Sequence, residues 1–200
     1  EPTTINSTSL EYLRSEFQLL NQRLTTNNSL KINHRTSFIN TVFDMESRDY
    51  SCSFRGSNFS SDFNSILPNW WQNTFKNFSY NNDTKCLHDF SIYGSTESPD
   101  QNFLIGSVQI ENLDYKGVMV KNADLLVINK NYCTQITLKD LKTQQGKAEG
   151  TIKITKKPDG FNKPESVRTK LKSKLTLKTA EKLFGSNTQK ILSNFESPNT

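Results

Sequence analysis

Residues 8–24, Thr8-Ser-Leu-Glu-Tyr-Leu-Arg-Ser-Glu-Phe-Gln-Leu-Leu-Asn-Gln-Arg-Leu24, decide the fold class. Thr8 and Glu11 have the spacing of a capping box, in which a hydroxyl and a carboxylate cap each other's backbone N–H groups. Leu10, Leu13, Phe17, Leu20 and Leu24 then recur at spacings of 3, 4, 3 and 4, the stripe of an amphipathic helix ended by Thr25-Thr-Asn-Asn28. Read so, the chain begins with a helix that must rest on something, and it belongs to the α+β class.

What it rests on is found in the second half. Phe103–Ile110, Val118–Val120, Leu125–Ile128, Thr134–Leu138 and Ala148–Ile154 are short apolar or alternating runs. Turn residues at Lys116-Gly117, Asn129–Asn131 and Gly146 separate them, which predicts an antiparallel meander. The cleanest alternation follows. Val167, Thr169, Leu171, Ser173, Leu175 and Leu177 fall on one face, and Arg168, Lys170, Lys172, Lys174 and Lys178 on the other. A lysine-lined strand protects a sheet edge from pairing. It can equally face an anionic surface such as lipid head groups, with Arg168, Lys170, Lys172 and Lys174 as the contacts. The predicted sheet lies mainly within 103–178, followed by a helical turn over 179–184 and a short helix opened by Ser186 and Gln189.

Between these parts, residues 30–54 fit helix or strand, although Tyr50, Cys52 and Phe54 alternate as in a strand. Residues 85–93 read as a further strand. Phe59, Phe63, Trp70, Trp71, Phe75, Phe78 and Tyr80 crowd one segment, with Pro68 suited to a helix's first turn. This aromatic helical segment is core or a binding platform, and as a platform Trp70, Trp71, Phe75 and Phe78 are its residues. The domain reading is a flexible tail over 1–7, one domain over 8–196 with a sub-boundary at 94–101, and a tail over 197–200.

Composition bounds the function. The 200-residue, 22.9 kDa chain is only 33% hydrophobic, and Asn, Ser and Thr number 22, 22 and 20. It can bury a thin core, yet its 13 Phe, 6 Tyr and 2 Trp are too many for a solvated chain. No apolar run approaches the roughly 18 residues of a spanning helix. The net charge of +5 is uneven, with residues 1–100 carrying 8 basic and 11 acidic groups and residues 101–200 carrying 17 and 9. The basic residues and the aromatics do not interleave, which argues against a specific nucleic-acid reader. Five sequons, at Asn6, Asn27, Asn58, Asn77 and Asn82, match the about five that composition alone gives.

Cys52 and Cys86 are the pair expected to bridge, leaving Cys133 over, and the alternative is three thiols in a reducing compartment. With no C-x-x-C and only His34 and His88, no metal site is expected. No catalytic motif is present, His88 beside Asp89 is not a dyad in a strand, and neither catalytic residues nor cofactors are assigned. The chain begins at Glu1 rather than Met and is read as a processed product, exported to a periplasmic or extracellular setting and anchored, if at all, by a segment outside it.

Gly117-Val-Met-Val-Lys-Asn-Ala-Asp-Leu-Leu-Val-Ile128, Ile136-Thr-Leu-Lys-Asp-Leu141 and Gly146-Lys-Ala-Glu-Gly-Thr-Ile-Lys-Ile154 resemble the repeating unit of AsmA-like bacterial envelope proteins. The resemblance covers about a quarter of the chain. It implies a curved antiparallel sheet whose apolar face shields lipid chains or rests on an envelope partner. A helix packed on a sheet with one disulfide also resembles the soluble domain of a pilin-like subunit. The expected function is therefore a non-enzymatic, exported binding or assembly protein of the bacterial cell envelope, taking an apolar ligand or protein partner. The alternative is an extracellular adhesion or pilus-like structural subunit.

Overall fold

Four tight turns set the architecture of the computed structural model, which describes residues 3–5, 8–64, 69–98, 101–156 and 164–184. Asn21-Gln22, Asn33-His34, Lys116-Gly117 and Asn131-Tyr132 each place two successive residues in the left-handed region, with φ between 47° and 73°. A two-residue loop of that conformation matches the twist of the strands it joins and closes a β-hairpin. Asn tolerates this region better than other residues with a Cβ, so three of the four turns begin with it. Part of the unusual Asn content is turn chemistry.

The strands between the turns form one antiparallel meander. They are β1 (Thr3–Ile5), β2 (Thr8–Leu20), β3 (Arg23–Ile32), β4 (Arg35–Asp44), β5 (Asp49–Gly56), β6 (Phe78–Ser79) and β7 (Lys85–Ser95). Next come β8 (Phe103–Tyr115), β9 (Val118–Lys130), β10 (Cys133–Thr143), β11 (Gly146–Lys156) and β12 (Pro164–Ser173). Each pairs with its neighbour in the chain, save that β5 pairs with β7 and the two-residue β6 pairs alongside β8. The strands on either side of residues 94–101 pair with each other. Two short helices, α1 (Asn69–Phe75) and α2 (Leu177–Phe184), complete the described chain.

The α+β expectation is therefore corrected. Residues 8–24 are not a helix but β2, its hairpin turn and the start of β3. The sheet runs from β1 to β12 rather than mainly over 103–178, and the aromatic-rich segment is not one helical layer but a 3-10 turn, a seven-residue helix and the two-residue strand β6. The helical stripe failed because β2 exposes both faces: Leu13, Phe17, Leu19 and Leu20 are all more than half exposed. With no single face to bury, the apolar residues of β2 obey neither a period of two nor one burial direction.

One face of the sheet carries the core. Cross-strand pairing aligns Cys86, Ile110, Ala123, Leu141 and Ala148 in one row over β7–β11. Ile110, Ala123, Leu141 and Ala148 form the buried cluster with Leu113 and Val120, and Cys86, Phe78, Tyr80, Leu175 and Leu183 pack against it. The described parts of two excursions of the chain thus roof this face: residues 57–64 and 69–84, between β5 and β7, and residues 174–184. The roof is short, and the rows beyond it are half-exposed.

Candidate functional site

The first excursion is held by a carboxylate. Asp62 sits in a single 3-10 turn, Ser60–Phe63, with its side chain 1% exposed. Arg35 of β4 grips it with Nη2 2.6 Å from Oδ1 and Nε 2.9 Å from Oδ2. Asn33 Nδ2 and the Phe59 backbone N–H also donate to it, at 2.9 and 2.8 Å. Burial alone would raise the pKa of Asp62, but these donors outweigh it and hold the carboxyl below its ordinary value. The Arg35 guanidinium also lies 3.9 Å over the Phe59 ring, which stacks on Tyr80.

Next to this clasp lies a polar relay. Asn58, 2% exposed, donates from Nδ2 to the Ile32 and Arg35 carbonyls and accepts from Ser37 Oγ at 2.5 Å. Ser37 Oγ is in turn 3.5 Å from His88 Nε2, and His88 stacks on Phe54 at 4.4 Å. Burial holds the His88 pKa below its ordinary value, partly opposed by Asp89. Burial also pushes the Cys86 thiol up to about 11, with Asp62 adding to the effect. The hydrogen bonds of Asp62 and Asn58 fix the loop to the sheet through Arg35, Ser37 and the Ile32 carbonyl and brace the loop within itself through Phe59 and the Asn58–Asp62 contact. Among the described residues, no three of His, Cys, Asp and Glu gather as metal ligands. The sequence carried no signal for this clasp, because its members are scattered from Asn33 to His88 and meet only through the register of β4, β5 and β7.

Beyond His88 the same sheet face is apolar. One row runs Ile39, Phe54, Phe90, Gly106, Val127, Ile136 and Ile152 across seven strands, β4, β5 and β7–β11. Gly106 has a reason to be glycine: a Cβ there would overlap the Phe90 ring. The next row is mixed: Cys52, Ile92 and Leu104 are followed by Asn129 and Thr134 before Ile154 and Val167. Apart from Gly106, the first row is half-exposed, and Val167 is 56% exposed. The opposite face is polar along the row Asn27, Asn40, Ser53 and Ser91, and carries the Arg55–Asp89 ion pair. A depression of about 420 Å³ on that side is lined by Phe38, Leu87 and His88 among others. The uninterrupted apolar row therefore belongs to the roofed face, while the opposite face carries separate exposed apolar residues, Phe38, Leu87, Tyr93 and Ile105.

The residues singled out in the sequence fall as follows. Trp70 and Trp71 lie on α1, and their side chains are outside what the structure describes. Phe75 meets Phe78 edge-on at 5.4 Å, and Phe78 packs on Tyr115 and the core. Arg168, Lys170 and Lys172 share one face of the edge strand β12, opposite Lys153, Thr151 and Glu149 of β11. Lys172 pairs with Glu149 at 3.3 Å. Lys174 follows the end of β12, where its backbone N–H donates to the Lys147 carbonyl. Cys52, Cys86 and Cys133 are free thiols, so the expected Cys52–Cys86 bridge is corrected. Cys52 lies opposite Ile92, six residues along β7 from Cys86, about 20 Å at strand rise. The predicted second helix, over 186–195, lies outside the described residues. No protein-family model matches this chain, and no curated protein or solved structure matches it.

Proposed function

We propose that this protein is a non-enzymatic binding or assembly protein, exported to a bacterial cell envelope, that takes an apolar ligand or the apolar surface of an envelope partner on the roofed face of its sheet. The observation that carries the reading is the cross-strand apolar row from Ile39 to Ile152, left partly exposed where the roof stops. Apolar surface in such a continuous row is normally covered by something. The envelope setting rests on the resemblance of residues 103–155 to AsmA-like repeats. The non-enzymatic reading draws support from the Asp62 carboxylate, whose oxygens are taken up by Arg35, Asn33, Asn58 and the Phe59 backbone N–H.

The test is native mass spectrometry of protein exported to an oxidising compartment, followed by variants. The expected result is a co-purified mass in the lipid range. Ile136→Gln with Ile152→Gln should abolish it, and Ile105→Gln on the opposite face should not. A ligand-free protein that also fails to bind a fluorescent acyl-chain probe overturns the reading. The alternative, an adhesion or pilus-like structural subunit, is favoured by a different observation: among the described residues the sheet has an unpaired edge at each end, along most of β2 and along β12.

A further inference from the structure

The first of those edges is unlike the second. The outer side of β2 is paired only at Thr8–Leu10, by β1. Among the described residues no strand pairs with the rest of it. At Glu11 the strand bulges, since the register against β3 shifts between Leu10 and Tyr12, and Glu11 turns to Lys31 and His34. That leaves an uninterrupted segment, Tyr12-Leu-Arg-Ser-Glu-Phe-Gln18. It holds no Pro or Lys, and its two charges, Arg14 and Glu16, are opposite in sign and cancel, whereas β12 at the far side carries the like charges Arg168, Lys170 and Lys172. Its apolar side chains are also open to solvent, Leu13 at 60% and Phe17 at 71%.

The segment is self-complementary about Ser15. If a second copy lies antiparallel with Ser15 opposite Ser15, Arg14 of one copy stands across from Glu16 of the other, and Leu13 across from Phe17. Directly opposed residues of an antiparallel pair share a face, and opposite charges or apolar pairs there attract. Arg14 already meets Glu16 of its own strand at 2.6 Å, so the four groups would close into a ring of alternating charge. On the other face, Leu13 and Phe17 of each copy cover those of the partner, with Leu30 beside Leu13. A shift of the register by one residue would set Arg14 against Ser15 and break both relations.

We propose that the partner of this edge is a second copy of the chain, joined through β2–β2 pairing about a two-fold axis at Ser15, so that two sheets become one. The inference is independent of the apolar-face reading, which concerns a different surface. An isologous contact of this kind closes at the dimer, since each β2 edge is used once.

Sedimentation velocity of the full chain over a concentration series should show the mass doubling and going no further. Arg14→Glu and Glu16→Arg each create two like-charge pairs across the axis and should weaken self-association about tenfold or more. Mixed in equal amounts, the two variants should dimerise with each other, because every cross-strand pair in the mixed species is opposite in sign. Both variants lack the intrastrand Arg14–Glu16 bridge, so recovery on mixing reports the intermolecular register alone. Independently, Ser15→Cys should cross-link to its own counterpart under oxidation while Gln18→Cys does not. A chain that stays monomeric, assembles beyond the dimer, dimerises regardless of Glu16→Arg, or fails to recover on mixing the two folded variants overturns the proposal. So does cross-linking at position 18 rather than 15, which also settles the matter if the charge variants do not fold.

Discussion

Asp62 is the residue on which the roof over the sheet depends. Its carboxylate is fully buried and its partner Arg35 only partly so, at 1% and 28% exposure. Breaking a buried pair by removing one charge leaves the other desolvated and uncompensated. Asp62→Asn keeps the shape and loses the charge, and is expected to cost about 3 kcal/mol, the low end for such pairs because Arg35 reaches solvent. Chemical denaturation reads this as a lower midpoint at unchanged slope, and an unchanged midpoint would show that the clasp contributes no net stability. His88 sets a pH dependence of its own. Its folded pKa lies below the ordinary 6.5, so the unfolded chain takes up the proton first as the pH falls. Stability from His88 is thus complete above 6.5 and declines as the pH drops below it, before the Asp62 carboxyl begins to protonate below 3.8. His88→Asn should flatten the fall of the thermal midpoint between pH 6.5 and pH 5, and an equally steep fall in the variant would refute the assignment.

At the scale of elements, the hairpin turns are where stability can be gained. Gln22 sits at φ 62° without the freedom of glycine, whereas the Lys116-Gly117 turn has glycine at the equivalent place. A residue with a Cβ pays about 1–2 kcal/mol in that region. Gln22→Gly should therefore raise the thermal midpoint by a few degrees, since 1 kcal/mol moves a chain of this size about 2–4 °C. A fall in the midpoint would mean that the turn leaves the left-handed conformation. The same turns mark what the sequence discloses. Lys116-Gly117 and Asn129–Asn131 are legible because they divide clearly apolar runs, and strands are read at β8, β10, β11 and β12, while β9 is read as two runs, Val118–Val120 and Leu125–Ile128, where one strand, Val118–Lys130, forms. The alternation of Val167, Thr169, Leu171 and Ser173 against Arg168, Lys170 and Lys172 also agrees with the register of β12 on β11. Asn21-Gln22 was not legible, because its hairpin joins an edge strand exposed on both faces. Leu10, Leu13, Phe17, Leu20 and Leu24 fit a helical stripe there by position alone. The clasp was hidden for a different reason: Asn33, Arg35, Ser37, Asn58, Asp62 and His88 lie on separate strands and loops, and only the pairing of β4 with β5 and β5 with β7 brings them together.

Across the whole molecule, burial is graded along the meander. The buried apolar cluster is confined to β8–β11, with Phe78, Tyr80 and Leu183 above it. The outer strands have little over them: Leu13, Phe17, Leu19 and Leu20 of β2 and Val167 and Leu171 of β12 are exposed. Strands that touch only their neighbours in sequence make stability close to a sum of local terms, so the ends of such a sheet can open without the middle. Native-state hydrogen exchange should therefore rank the amides. Those in residues 104–142 that pair across β8, β9 and β10 are expected to be slowest, exchanging only through global unfolding. Those of β12 and of β2 are expected to be fastest, with opening energies well below the global value. The two ends should nevertheless respond differently to protein concentration. If β2 pairs with a second copy, its amides gain protection as the concentration rises, while those of β12, with a cationic edge and no matching partner, do not. Uniform protection from β2 to β12 would mean that the sheet unfolds as a single cooperative unit despite its thin core. A concentration effect at β12 alone would place the assembly edge at the opposite end of the sheet.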